Sequence, residues 1–167
     1  VSCLYVTSDW HLGHSSAYKF SGNFSSQEER EGTIIENYCL TVNKRDTVWF
    51  LGDIAFNRKS LDIVKALTGT KHLVLGNHDT DKFSKELDIA DLFLVFDTVH
   101  GLVSRNGCWL SHAPVHPDEL HGKYNIHGHV HSHSIKDPMY YNACLENTEF
   151  KPKKYQEIIS WFKENKA

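Results

Sequence analysis

The sequence predicts an α/β fold, and three observations carry that expectation. In the first half, apolar runs of strand length at Leu4–Thr7, Thr47–Leu51 and His72–Leu75 alternate with segments of helical periodicity, the pattern of parallel β-α-β pairing. Each run empties into a short loop of small and polar residues: Ser8-Asp9, Gly52-Asp53 and Gly76-Asn77. From Phe93 onward the pattern becomes β-rich.

Taken in order, Leu4 to Thr7 is the first predicted strand, leading into Ser8-Asp9-Trp10-His11-Leu12-Gly13-His14. Ser25 and Ser26 each precede a glutamate by three residues, Glu28 and Glu29, which is the capping-box signature. Ile34, Ile35, Tyr38 and Val42 then recur at helical spacing, predicting a helix over Gln27–Asn43. After the second strand, Ser60 is the expected cap of a helix with Leu61, Val64 and Leu67 on one face and Gly69 at its end. The third strand follows, and Phe93 to Val99 reads as β-rich.

Asn106-Gly107 between Leu102-Val103-Ser104 and Cys108-Trp109-Leu110 is a strong hairpin signal. Further strands are expected around Tyr124–Ile126 and Met139–Cys144. Tyr155, Ile158, Ile159 and Phe162 predict an amphipathic last helix, approached through Lys151-Pro152, with Lys163 and Lys166 at its dipole-favoured end. No internal repeat, low-complexity tract or linker interrupts the chain, so residues 1–167 read as a single domain.

Composition narrows the function classes. The 167 residues, 40% hydrophobic and 23% charged, describe a globular protein with a substantial core. No apolar run reaches membrane-span length and no basic segment leads into an apolar one at the start, so a cytoplasmic, non-membrane protein is expected. The cysteines, Cys3, Cys39, Cys108 and Cys144, form no C-x-x-C pair and read as buried, reduced thiols. A net charge of −3 and the absence of a basic run disfavour duplex nucleic acid as an obligatory partner. Histidine stands out: there are twelve, eight of them between His100 and His133, and histidine is the commonest metal ligand.

Five segments repeat one theme: Asp9-Trp10-His11, Gly52-Asp53, Gly76-Asn77-His78-Asp79, Ser111-His112 and Gly128-His129-Val130-His131. Each lies at or just past a predicted strand end, where open α/β folds place their sites. Oxygen and imidazole donors without thiolates suit Mn²⁺, Fe, Zn²⁺, Ni²⁺ or Co²⁺ and not a structural zinc cage. Asp9 and His11 are expected to point the same way along an extended segment, as are His129 and His131. Asp53 is the best-placed carboxylate to bridge a second ion. Taken singly, Asp9 or Asp53 has a helix or turn cap as its alternative reading, His112 reads first as a hydrogen-bonded core histidine, and His127 to His133 has a loosely metal-binding surface tract as its alternative. Those bland readings would have to hold independently in all five segments.

The ordered set D-x-H, G-D, G-N-H-D, H and G-H-x-H, from Asp9 to His131, resembles the calcineurin-like metallophosphoesterase superfamily, and among its members the small uncapped bacterial and phage type. The resemblance implies a four-layer α-β-β-α sandwich of two mixed sheets flanked by helices. It implies two divalent ions, Mn²⁺ first, with Ni²⁺, Fe, Zn²⁺, Co²⁺ or Mg²⁺ as alternatives. One ion would take Asp9, His11 and His131, the other Asn77, His112 and His129, with Asp53 bridging. His78 would be the proton donor, and Asp79 would orient it.

Two cations about 4 Å apart can share a hydroxide near neutral pH, since metal binding lowers its pKa to about 7. The expected activity is therefore metal-dependent hydrolysis of small phosphodiesters, cyclic nucleotides included, with His14 and Arg58 as candidate substrate contacts. A monoesterase, phosphoprotein phosphatase or nuclease of the same superfamily remains the enzymatic alternative, and a catalytically silent metal-binding scaffold the non-enzymatic one.

Overall fold

Strands form where the sequence alternates, and their two faces sort the core. The computed structural model describes residues 1–81 and 86–165; Lys166, expected at the end of the last helix, lies outside the described residues. One sheet has the order β4-β3-β2-β1-β9, built from β1 (Leu4–Thr7), β2 (Thr47–Phe50), β3 (Thr70–Val74), β4 (Thr98–His100) and β9 (Lys153–Lys154). β1 to β4 pair in parallel, and β9 closes the edge antiparallel to β1. The other sheet runs β5-β6-β7-β8, from β5 (Val103–Arg105), β6 (Cys108–Ser111), β7 (Tyr124–His127) and β8 (Tyr140–Asn142), antiparallel at β5–β6 and parallel thereafter. The expected α/β sandwich of two mixed sheets is the fold the chain adopts.

Alternation decides what each face meets. Tyr5, Val48, Phe50 and Leu73 face Ile34 and Tyr38 of α1 (Gln27–Thr41), Leu61 and Val64 of α2 (Arg58–Ala66), and Leu92 of α3 (Ile89–Phe93). Val6, Trp49, Leu51 and Val74 face inward, against Cys108, Leu110 and Ile126 of the second sheet. Tyr155, Ile158 and Phe162 of α4 (Tyr155–Asn165) complete that inter-sheet core, with Phe162 stacked on Tyr124 at 4.2 Å. The outer face of the second sheet is covered by residues 113–123. Asn125 accepts from the Val115 amide, and Trp109 donates to the Leu120 carbonyl.

Several boundaries differ from the sequence reading, each for a local reason. α1 is capped by Ser26, whose hydroxyl accepts from the Glu29 amide at 3.1 Å, while the Glu29 carboxylate reaches back to Ser25. It ends at Thr41, short of the expected Asn43, where Asp46 gathers the amides of Asn43 and Cys3 into a turn.

α2 starts before Ser60, and Asn57 caps it by accepting the Ser60 amide at 2.9 Å. The Asp53 loop pairs with residues 11 and 12 (His11 and Leu12 donate to the Asp53 and Ile54 carbonyls at 3.0 Å), which holds the chain extended up to Asn57. The start of the β-rich Phe93–Val99 stretch is helical. Asp88 and Asp91 form a reciprocal capping box that nucleates α3, leaving strand only at Thr98–His100. The hairpin at Asn106-Gly107 forms as expected, both residues left-handed at φ 47° and 77°. All cysteines are unpaired, Cys39 being exposed. No helix among the described residues is long and apolar enough to cross a membrane.

Candidate metal centre

Strand polarity brings the five segments together. Asp9, Asp53 and Asn77 follow the carboxyl ends of β1, β2 and β3, and His112 and His129 follow those of β6 and β7. Beyond the strands the sheets are stitched by a parallel bridge between Ser8 and Cys144, and the Gly128 amide donates to the His112 carbonyl at 2.8 Å. One rim therefore collects ligands from both sheets.

Two triads result, Asp9-His11-His131 and Asp53-His112-His129, and within each the candidate ligand atoms lie within 4.8 Å of one another. Asp53 connects them: its Oδ2 is 3.3 Å from His112 Nε2 and 3.8 Å from His11 Nε2. Asn77 Oδ1 lies 2.9 Å from His112 Nε2, so it belongs with the second triad.

Buried polar atoms are normally hydrogen-bonded. Asp9 Oδ1 and both ring nitrogens of His11 are buried with no hydrogen-bond partner among the described residues. Asp9 Oδ2, by contrast, is saturated by the Ser8 hydroxyl, the His129 amide and the Cys144 thiol. A carboxylate held on one oxygen and bare on the other, facing bare imidazole, is a donor set that fits a divalent cation.

The backbone at the ligands is not extended as the sequence reading had it. Asp9 (φ 59°), His11 (50°), Asp53 (56°), His129 (73°) and His131 (50°) are all left-handed, a conformation that costs about 1–3 kcal/mol each at non-glycine positions. The turns bring Asp9 and His11 to one side while Trp10 drops into the core, its Nε1 donating to Thr7 Oγ1. Hydrogen bonds hold them there, among them the Asp9 amide on the Gly52 carbonyl at 3.1 Å.

Neighbouring groups set the protonation states. Burial opposes charge on His112, but Asp53 and Asp9 outweigh it and lift its pKa to about 9. The ring Nδ1 lies 2.7 Å from the Leu51 carbonyl, which leaves Nε2 for the site. A cation bound at Nε2 would have to displace a proton held there. Burial also works against ionised Asp9, yet the His11 and His112 rings hold its carboxyl well below the usual range. His131 is raised chiefly by Glu146, whose carboxylate is 3.0 Å from Nδ1.

Glu146 escaped the sequence reading, as did Arg30. Arg30 is fully buried on the face of α1 that carries Ile34 and Tyr38, and donates to the Trp10 carbonyl and the Ser21 hydroxyl. A cation in an apolar helix stripe was the signal available for it; Glu146 offered none, since its partner is fifteen residues away in an irregular loop. Carboxylates behind a ligating histidine fix its tautomer and raise its basicity. Glu146→Gln is expected to weaken metal affinity on the order of ten- to a hundredfold without unfolding the protein, measured by calorimetric metal titration.

His78 and Asp79 part company. Asp79 is buried and accepts from the backbone amides of Asp53, Ile54 and Gly76 at 3.0, 3.1 and 2.7 Å, clasping the two ligand loops together. Burial pushes its pKa up. The carboxylate facing His78 belongs instead to Asp81, 2.7 Å from Nδ1, three residues along rather than the expected one. His78 itself donates its amide to Asp53 Oδ1 at 2.8 Å.

Gly76 is required by this clasp, because a Cβ there would overlap the Asp53 carboxylate and amide. Gly76→Ala is expected to cost about 1–3 kcal/mol and to lower bound metal, read by thermal unfolding and metal analysis of the purified protein.

The candidate substrate contacts divide. His14 lines the cleft beside His11, His78 and His131, and burial lowers its pKa. Arg58 does not reach the cleft, because its guanidinium is engaged with both oxygens of Asp91 at 2.6 and 3.0 Å and with the Glu86 carbonyl. His127 is buried on β7 with Nδ1 bonded to the Gly128 carbonyl, behind the ligands rather than among them.

No family model matches the chain. An uncharacterized protein of Methanocaldococcus jannaschii is 26% identical over a 179-residue alignment spanning 98% of this chain and 93% of the relative. The gene 66 protein of Mycobacterium phage L5 is 28% identical over 167 residues, covering 81% of this chain and 80% of its own. The crystal structure of AQ665, a protein of unknown function from Aquifex aeolicus, superposes with a TM-score of 0.73 at 27% identity, over 96% of this chain and 99% of that one. The chain therefore shares its fold, nearly end to end, with a solved protein of unknown function.

Proposed function

We propose that this chain is a two-metal phosphodiesterase acting on small, singly charged phosphodiesters, cyclic nucleotides among them. The observation that carries the reading is the junction at Asp53, one carboxylate within 4 Å of histidines from both triads, beside buried ligand atoms of Asp9 and His11 with no hydrogen-bond partner among the described residues. Its motif order, D-x-H through G-H-x-H, supports the same chemistry by resemblance to the calcineurin-like metallophosphoesterases.

Asp9, His11 and His131 would hold one divalent ion and Asn77, His112 and His129 the other, with Asp53 shared; Mn²⁺ leads the candidates. When bound, the ions supply a hydroxide nucleophile and neutralise charge on the phosphoryl oxygens. The protein then has to protonate the departing oxygen. We assign this to His78, which lines the cleft beside His11 and His131 with Asp81 2.7 Å from its Nδ1.

Charge favours a diester. No lysine or arginine among the described residues lines the cleft beside His11, His78 and His131. A monoester dianion at the metal side of that cleft would find no added cation in its lining to balance the second charge.

The test is hydrolysis of bis-p-nitrophenyl phosphate against p-nitrophenyl phosphate by metal-stripped protein, with Mn²⁺, Ni²⁺, Zn²⁺ or Mg²⁺ restored separately. Metal-dependent cleavage of the diester is expected. Preference for the monoester would make the protein a phosphatase, and silence with two ions bound would leave a metal-binding scaffold.

A further inference from the structure

From the cleft walls we infer that the leaving group of the substrate carries a neutral, flat aromatic ring; this rests on the phosphodiesterase reading and specifies its substrate. The cleft has a volume of about 490 Å³, with His11 and His131 at the metal side and His78 in its wall. A group held there is bonded to the oxygen that His78 protonates, so the cleft receives the part of the ester that departs.

Phe20 and Phe56 line the rest of the cleft together with His14, Gly13 and Ser15. Phe56 lies 5.5 Å from His78, 5.3 Å from His11 and 5.2 Å from His14, ring centre to ring centre. Phe20 stands edge-on to His131 at 5.7 Å and to His14 at 5.6 Å. Phe20 is 50% exposed, although it closes the C-terminal end of a short 3-10 helix (Ala17–Lys19) that could have turned it inward. A half-exposed phenyl ring at the mouth of a metal-binding cleft is an open stacking surface.

Polarity agrees. Asp, Glu, Lys and Arg are all absent from the described lining, so a charged leaving group finds no partner. His14 accepts the Ser16 amide on Nδ1 at 3.2 Å, which leaves Nε2 as the donor of its ring. The His14 ring donor and the Ser15 hydroxyl beside two phenyl rings match a heteroaromatic ring such as a nucleobase better than an alkyl chain.

Binding of two diester analogues with an uncleavable P–C bond at the leaving-group position, to the metal-loaded protein, tests this. Methyl benzylphosphonate has a CH₂ in place of the scissile oxygen of an aryl ester; methyl cyclohexylmethylphosphonate differs from it only in replacing the flat ring with a puckered one. Calorimetry is expected to show the benzyl compound bound about tenfold more tightly. That preference should shrink below about threefold in Phe56→Leu and weaken in the surface variant Phe20→Leu. Metal content of the variants, measured alongside, identifies any that fail to fold.

Equal affinity for the two analogues, a preference untouched by both substitutions, or binding of neither by protein carrying two ions would overturn the inference. Failure to hydrolyse bis-p-nitrophenyl phosphate would remove the enzymatic reading without altering the binding comparison. Equal binding by an active enzyme would remove the ring preference alone.

Discussion

Asp53→Asn is expected to lower metal-dependent diester hydrolysis on the order of a thousandfold while leaving the fold intact. The substitution keeps the shape of the side chain, and its amide oxygen can still accept the His78 amide that Asp53 Oδ1 holds at 2.8 Å. What changes is Oδ2, the atom 3.3 Å from His112 and 3.8 Å from His11. An NH₂ there is a donor aimed at two cation sites, so neither ion keeps its shared ligand.

Thermal unfolding separates this from simple destabilisation. A metal that binds only the folded state adds about 2.7 kcal/mol at a hundredfold excess over Kd. The rise in Tm on adding Mn²⁺ should therefore disappear in the variant. Without metal, the variant should unfold at a lower temperature than wild type, because the His112 ring loses the charged carboxylate 3.3 Å from its Nε2. A full metal response together with full activity in Asp53→Asn would remove the residue from the centre.

His78→Asn should slow esters of poor leaving groups by about a hundred- to ten-thousandfold, and esters of nitrophenolate far less. An alkoxide cannot depart without a proton, whereas nitrophenolate is stable as the anion. The slope of log kcat against leaving-group pKa is therefore the measurement, and it should steepen in the variant. Asp81→Asn should steepen it part of the way, since Asp81 rather than Asp79 faces the imidazole. Equal slowing across the series would mean that His78 positions substrate or the Asp53 loop and transfers no proton.

Much of this molecule is written locally. β1 to β3, the Asn106-Gly107 hairpin and α4 follow from alternation, turn chemistry and helical spacing, all properties of residues near one another in the chain. The ligand types were equally legible, because Asp9, His11, Asp53, Asn77, His112, His129 and His131 each stand just beyond a strand whose hydrophobicity announces it. Where local signals competed, the reading slipped: Asn57 outranked Ser60 as a cap, and the Asp88–Asp91 box made helix where apolar content suggested strand.

What the sequence determined by itself is the inventory: an α/β chain with seven metal-ligand candidates and a histidine proposed as proton donor, placed at strand ends in a fixed order. What the tertiary structure decided is how those groups are held. The left-handed backbone at five ligands, the clasp of Asp79 on three amides, the pairing of Asp81 with His78, the buried Arg30 and the Glu146 support of His131 all depend on loops that meet only after two sheets have packed. Strain of this kind persists only where the surrounding contacts over-determine it, and contacts between residues as far apart as Asp9 and His129 leave no periodic trace along the chain.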